Sequence, residues 1–152
     1  ADTATGSGNS TVINSTEGTL YAEIKRNEEN SSTTAISLSD GTVSNSVLMY
    51  YFGVNGFYVD ILNSSGTVTL NGGVVNTSDY IKVAVKYKSG DSSIWINGIE
   101  IDTSLSTISL VGLNSLDFSQ YNSASPFNGK TKSVQVYKTA LSDAELISLT
   151  TI

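Results

Sequence analysis

Eleven short β-branched and aromatic runs recur along this chain, each bounded by Gly, Asn, Asp or Ser, and that spacing constrains the fold more than any other feature. They are Thr11–Asn14, Thr19–Arg26, Thr34–Ser39, Val47–Phe52, Phe57–Asn63, Thr67–Asn71, Tyr80–Lys88, Ser93–Asn97, Ile99–Thr103, Ser115–Gln120 and Thr131–Lys138. Successive strand residues point to opposite faces, so Leu20, Ala22 and Ile24 lie on one side and Tyr21, Glu23 and Lys25 on the other. Ile81, Val83, Val85 and Tyr87 oppose Lys82, Ala84 and Lys86 in the same way. Each strand buries one face, which predicts an all-β fold, a two-sheet antiparallel jelly-roll sandwich. In Ile94-Trp95-Ile96-Asn97-Gly98-Ile99 the Asn-Gly pair predicts a tight type I′ hairpin. Only the end reads as helix. Ser142 with Glu145 forms a capping box, and Leu141 with Leu146 a hydrophobic staple, so one short C-terminal α-helix is expected from Asp143 to about Leu149. Residues 1–10, small and polar, read as a linker or flexible arm, and 11–152 as a single domain.

The chain has no Cys and no His. Disulfides, thiolate metal sites, histidine zinc sites and Ser-His-Asp triads are therefore excluded, leaving carboxylate, hydroxyl and lysine chemistry. Charged residues make up 14% of the sequence, against a usual value of about 25%, while Ser, Thr and Asn fill 55 of 152 positions. The surface is thus hydroxyl-rich. With a net charge of −6 and eight scattered Lys and Arg, no basic stripe forms, so neither nucleic acid nor an anionic membrane is an expected partner. No apolar run is long enough to span a bilayer. The start at Ala1 reads as a processed chain or a domain taken from a longer one.

Flat rings are the natural partners of the apolar C–H faces of sugars, while amides and carboxylates meet sugar hydroxyls. Among the aromatics, Tyr87, Phe118 and Phe127 fall on apolar alternations and read as core. Trp95 differs, because Ile94 and Ile96 take the inward side and leave the indole on the opposite face beside Asn97. Trp95 and Asn97 are the first candidate ligand-binding pair. If Trp95 is instead a core residue, the site moves to Tyr50, Tyr58 and Asp60 around the Gly53-Val54-Asn55-Gly56 turn, or to the Gln120-Tyr121-Asn122 loop.

Several motifs together carry a resemblance. Gly18-Thr19-Leu20-Tyr21-Ala22-Glu23, the Tyr80 to Tyr87 strand, Ile94-Trp95-Ile96-Asn97-Gly98, Pro126-Phe127-Asn128-Gly129-Lys130 and Leu141-Ser142-Asp143-Ala144-Glu145-Leu146 follow in an order that resembles the laminin G-like, pentraxin-like branch of the concanavalin A-like lectin/glucanase superfamily. The first and last of these are similar to modules of bacteriophage tail fibres. The resemblance implies a non-catalytic carbohydrate-recognition or adhesion module, on a virion tail or extracellular, with a neutral cell-surface glycan as partner and a homotrimeric state within such a fibre. A structural decoration domain is the alternative. A glycan-degrading enzyme is the third reading, and the residues argue against it. Laminarinase-type relatives use Glu-x-Asp-x-(x)-Glu, whose two Glu act as nucleophile and acid/base; here Glu100-Ile101-Asp102 is followed by Ser104 and Leu105 where the second carboxylate belongs. Alginate-lyase relatives need a His that the chain lacks. No cofactor is expected. Relatives that hold a rim Ca²⁺ use paired carboxylates and carbonyls, and Asp40, Asp60, Asp79, Asp91, Asp102 and Asp117 are the available donors; without an Asp-x-Asp-x-Asp loop most of them read as turn formers, and a structural Ca²⁺ is the alternative.

Overall fold

The computed structural model describes residues 8–27 and 32–152. In chain order the elements are β1 (Glu17–Arg26), β2 (Thr34–Ser39), β3 (Ser46–Phe52), β4 (Gly56–Asn63), β5 (Gly66–Val74), β6 (Ile81–Lys88), β7 (Ser92–Ile96), β8 (Ile99–Ser104), β9 (Ser115–Asp117), β10 (Gly129–Tyr137) and α1 (Asp143–Thr150). They build two antiparallel five-stranded sheets, ordered β10-β1-β6-β7-β8 and β5-β4-β3-β2-β9. The sandwich expected from the alternation is the fold found.

Inward residues of both sheets interlock. Leu20, Ala22, Ile24, Val83, Val85, Tyr87, Ile94 and Ile96 from the first sheet meet Ile36, Leu38, Val47, Met49, Tyr51, Phe57, Val59, Ile61 and Leu70 from the second. Each buried aliphatic or Phe side chain contributes roughly 1.5–3 kcal/mol relative to an exposed one, so this layer supplies the main driving force. The segment between β8 and β9 crosses from one sheet to the other and closes the core with Ile108, Leu110 and Leu113. Its backbone is held by Asn45, whose Oδ1 accepts from the Val111 N–H at 2.9 Å, and by Ser15, whose Oγ accepts from the Leu113 N–H at 2.9 Å.

Arg26 fixes the turn on which the site below depends. Although 1% exposed, its guanidinium donates to the carbonyls of Gly53 at 2.5 Å, Val54 at 3.0 Å and Ser32 at 2.7 Å. Its Cζ lies 5.6 Å from the centroid of the Tyr51 ring. A buried cation is costly unless hydrogen-bonded, and here backbone carbonyls take up its two terminal nitrogens from inside the sandwich, while Nε has no partner among the described residues. Burial holds the guanidinium below its ordinary pKa.

The hairpin at Asn97-Gly98 forms as expected. Both residues have positive φ, 51° and 84°, the pair that a type I′ turn requires. Helix α1 runs to Thr150, one residue beyond the expected end. The Glu145 carboxylate closes its first turn by accepting from both the Ser142 N–H at 2.8 Å and the Ser142 hydroxyl at 2.7 Å. Those two bonds hold the Glu145 carboxyl below the usual range. Leu146 is fully buried under the helix, and Lys86 ties the sheet to it through Asp143 at 3.4 Å and to Asp91 at 2.8 Å. Leu146→Ala is expected to destabilise the domain by about 2–5 kcal/mol, read as a lowered midpoint in a denaturant titration.

Three expectations need correction or fall on other ground. Thr11–Asn14 is a turn, not a strand: the Asn9 carbonyl accepts from the N–H groups of Val12 and Ile13, and its side chain accepts from the Thr11 N–H at 2.8 Å. An Asx turn captured a β-rich composition, though Ile13 still reaches the core. Phe118 is not core. Pairing of β9 stops at Asp117, and Phe118 stands 42% exposed, edge-on to Phe127 at 6.3 Å. Of the arm expected over residues 1–10, residues 1–7 lie outside the described residues, and Gly8 to Ser10 lead into the Asn9 turn.

Candidate functional site

Each sheet has an outer face, and the two faces differ. On the first sheet Tyr21, Ala84 and Trp95 are in register across β1, β6 and β7, on the side away from Ile94 and Ile96. That is the face the alternation assigned to Trp95. The expected exposed platform is nevertheless absent. Trp95 is 5% exposed, because Leu146 seats on it with Tyr21 and Ala84 while Tyr137, Leu141 and Leu149 pack around them. The indole N–H donates to the Ser93 hydroxyl at 3.0 Å. Asn97 is similarly committed, since its Oδ1 accepts from the Lys82 N–H at 2.9 Å.

The outer face of the second sheet is open. There β3 and β4 form a hairpin whose register sets Tyr50 opposite Tyr58. Their rings lie 27° from parallel with centroids 5.8 Å apart. Phe52, two residues after Tyr50 on the same face, is 57% exposed and meets Tyr58 edge-on at 6.3 Å. Gly56 stands opposite Phe52, and a Cβ there would come within 3.0 Å of the Tyr58 ring, so only glycine leaves the ring its place. Asp60 completes the group: one oxygen accepts from the Tyr50 hydroxyl at 3.0 Å and the other from the Thr69 hydroxyl at 2.6 Å. Burial first, then the Asp60 carboxylate, pushes the Tyr50 hydroxyl far above its ordinary pKa.

Charge separates the two sheets. All eight basic residues lie on β1 (Lys25, Arg26), β6 (Lys82, Lys86, Lys88) and β10 (Lys130, Lys132), or just after it (Lys138). The strands of the second sheet carry Asp60 and Asp117 and no cation. Arg26 approaches that sheet only from within.

The structure therefore brings together Tyr50, Tyr58 and Asp60 from the sequence-derived candidates. Tyr121 stands apart, in a loop that bonds to β2 through Ser125 to Ala35 at 3.1 Å and Ser119 to Ser37 at 2.8 Å, and its ring stacks on neither tyrosine. Phe52 and Thr69 were missed. Phe52 was legible, being two residues from Tyr50 in an alternating run; Thr69 depends on the register of β5 against β4. Clefts elsewhere include one of about 470 Å³ beside Ile13, Leu113 and Lys138 and one of about 400 Å³ between Tyr137 and α1. The cleft beside α1 holds a single ring, Tyr137, with Glu145, whereas the open face gathers three rings beside Asp60. Among the described residues no three acidic side chains gather to hold a metal. Asp102 is engaged with the N–H groups of Asn71 and Thr103.

A family profile described as the concanavalin A-like lectin/glucanases superfamily, of laminin G type, matches residues 2–147. The chain belongs to this superfamily. Among solved structures of similar fold is the carbohydrate-binding module (CBM40) of the Ruminococcus gnavus IT-sialidase bound to α2,3-sialyllactose, with 24% identity, a TM-score of 0.74, and coverage of 97% of this chain and 93% of that one. Domain 4 of an extracellular arabinanase from Geobacillus stearothermophilus, in complex with arabinotriose, is similar at 16% identity and a TM-score of 0.69, covering 91% of this chain and 68% of that one. A heptameric pentraxin from Limulus polyphemus is similar at 14% identity and a TM-score of 0.64, with 86% and 68% covered, in keeping with the pentraxin-like resemblance. No curated protein matches by sequence.

Proposed function

We propose that this superfamily member is a non-catalytic carbohydrate-recognition module whose ligand is a neutral glycan held on the outer face of the second sheet. One observation carries the reading: Tyr50, Tyr58 and Phe52 form a ring cluster beside an accessible carboxylate, Asp60, on a face without cations. Rings pack the C–H faces of a sugar, and Asp60 retains acceptor capacity for its hydroxyls. Similar structures carry both kinds of ligand, the acidic sialyllactose and the neutral arabinotriose. An acidic sugar needs a counter-charge for its carboxylate, which this face lacks, so the neutral class is favoured. Ser104 and Leu105 standing where the glycosidase motif begun by Glu100-Ile101-Asp102 needs its second Glu support a role without hydrolysis. The setting that fits is a phage-type tail fibre or another extracellular structure, as the opening and closing motifs suggest.

A glycan array probed at low and high salt tests this. Binding to neutral oligosaccharides, unchanged by salt and absent on sialyllactose, is expected. Binding confined to sialylated glycans and weakened by salt would reject the neutral class. No binding to any glycan would favour the decoration domain.

A further inference from the structure

The ring cluster has two unlike flanks. Tyr58 lies within β4, and the rows of Gly56 and Asp60 stand two residues to either side of it, about 6–7 Å each way at the rise of an extended strand. The Asp60 flank is polar, with the carboxylate bonded to the Thr69 hydroxyl. The Gly56 flank is apolar. Gly56 is in register with Phe52 on β3 and with Val74 on β5. Val75 points into the core, so Val74 before it points outward, where it is 83% exposed. Val54, at the tip of the β3–β4 turn, is 74% exposed. One exposed apolar side chain carries no message, but Phe52, Val54 and Val74 come from two chain segments to one end of the same sheet.

Most polar groups near that end are already engaged within the chain. The carbonyls of Gly53 and Val54 accept from Arg26 on the inner side, and that of Asn55 accepts from the Val75 N–H at 3.0 Å. The Asn55 Oδ1 accepts from the Thr77 hydroxyl at 3.4 Å, and the Oδ1 of Asn71, opposite Tyr58, from the Gly73 N–H at 2.9 Å. The Tyr58 hydroxyl is the exception. It lies beside Gly56, 3.7 Å from where a Cβ would stand, and makes no hydrogen bond among the described residues. An apolar end thus holds one uncommitted hydroxyl.

We propose that this flank, on a face that binds sugar as proposed above, selects glycans bearing an acetamido group, as N-acetylhexosamines do. The two halves of that substituent match the two features of the flank. Its methyl needs apolar cover, which Phe52, Val54 and Val74 supply, and its amide needs one partner, which the Tyr58 hydroxyl provides as donor or acceptor. A sugar hydroxyl in the same place would reach Tyr58 but leave the apolar side chains uncovered. A free amine would bring a charge to the end of the face farthest from Asp60. The sugar ring then rests on Tyr58 with its remaining hydroxyls toward Asp60 and Thr69, so the substituent sets the direction in which the glycan lies.

The test titrates the domain with oligosaccharides that differ in the acetamido group alone: chitotriose against cellotriose, and N-acetyllactosamine against lactose. In at least one pair the acetamido member should bind roughly tenfold more tightly. Tyr58→Phe keeps the ring and removes the hydroxyl, and the Val54→Ser/Val74→Ser double variant changes two exposed side chains, so both should fold. In each of them the preference should fall to about twofold or less. Equal affinity within both pairs, or a preference undiminished in either variant, would overturn the assignment and leave the carbohydrate reading standing. No binding of any of the four, with a glycan array that is also blank, would remove the carbohydrate reading and this selectivity with it.

Discussion

Trp95→Ala should cost the domain about 3–5 kcal/mol, a large share of the roughly 5–15 kcal/mol that holds a typical domain together. The indole is enclosed by Tyr21, Ala84 and Leu146, and its removal leaves a cavity bounded below by strands β1 and β6 that cannot collapse. The helix above would lose its seat. Denaturant titration reads the effect directly, and an unchanged midpoint would show that α1 does not rest on Trp95. Because Trp95 is the only tryptophan, its emission also reports the helix. It should be blue-shifted in the native protein and move to the red in Leu146→Ala.

The second large effect is on recognition. Tyr58→Ala should weaken glycan binding by about 2 kcal/mol or more, roughly thirty-fold in Kd, since truncating a central ring in a binding cluster has effects of this size. Tyr58 touches both Tyr50 and Phe52, so its loss dissolves the cluster rather than trimming its rim. It is half-buried and outside the inter-sheet core, so the melting transition should shift less than in Trp95→Ala. Calorimetric titration with a neutral oligosaccharide found on the array gives the measurement. Unaltered affinity would move the site away from this face.

These two residues show what alternation can and cannot convey. The pattern Ile94-Trp95-Ile96 placed the indole on the correct side of its strand, since side-chain direction follows from backbone geometry alone. What covers that side is decided elsewhere, by Leu146 on the helix that follows β10, far along the chain from Trp95. Exposure is therefore not a local property. Tyr50, Tyr58 and Asp60 were legible as a group because a short turn joins their strands and sets the register. Thr69 was hidden because its place opposite Asp60 is set by the tight turn between Asn63 and Gly66, a cross-strand register that alternation along one strand does not reveal. Phe118 failed for a related reason: the run looked continuous through Gln120, but pairing ended at Asp117.

The neighbours of β1 carry a consequence for how the chain acquires its shape. Strand β1 lies between β6 and β10, and the Thr19 hydroxyl donates to the carbonyl of Thr139, 120 positions further on. Strands β2 to β5, by contrast, pair each with the next through short turns. Low loop-closure cost lets that meander assemble early, while the first strand waits for almost the whole chain to arrive. During synthesis β1 is an unsatisfied strand carrying Leu20, Tyr21 and Ile24 until β6 and then β10 come to flank it. The hazard for this protein is thus one of timing: folding is slow in the half that is finished last, and the period before β10 pairs is when misassociation through β1 competes.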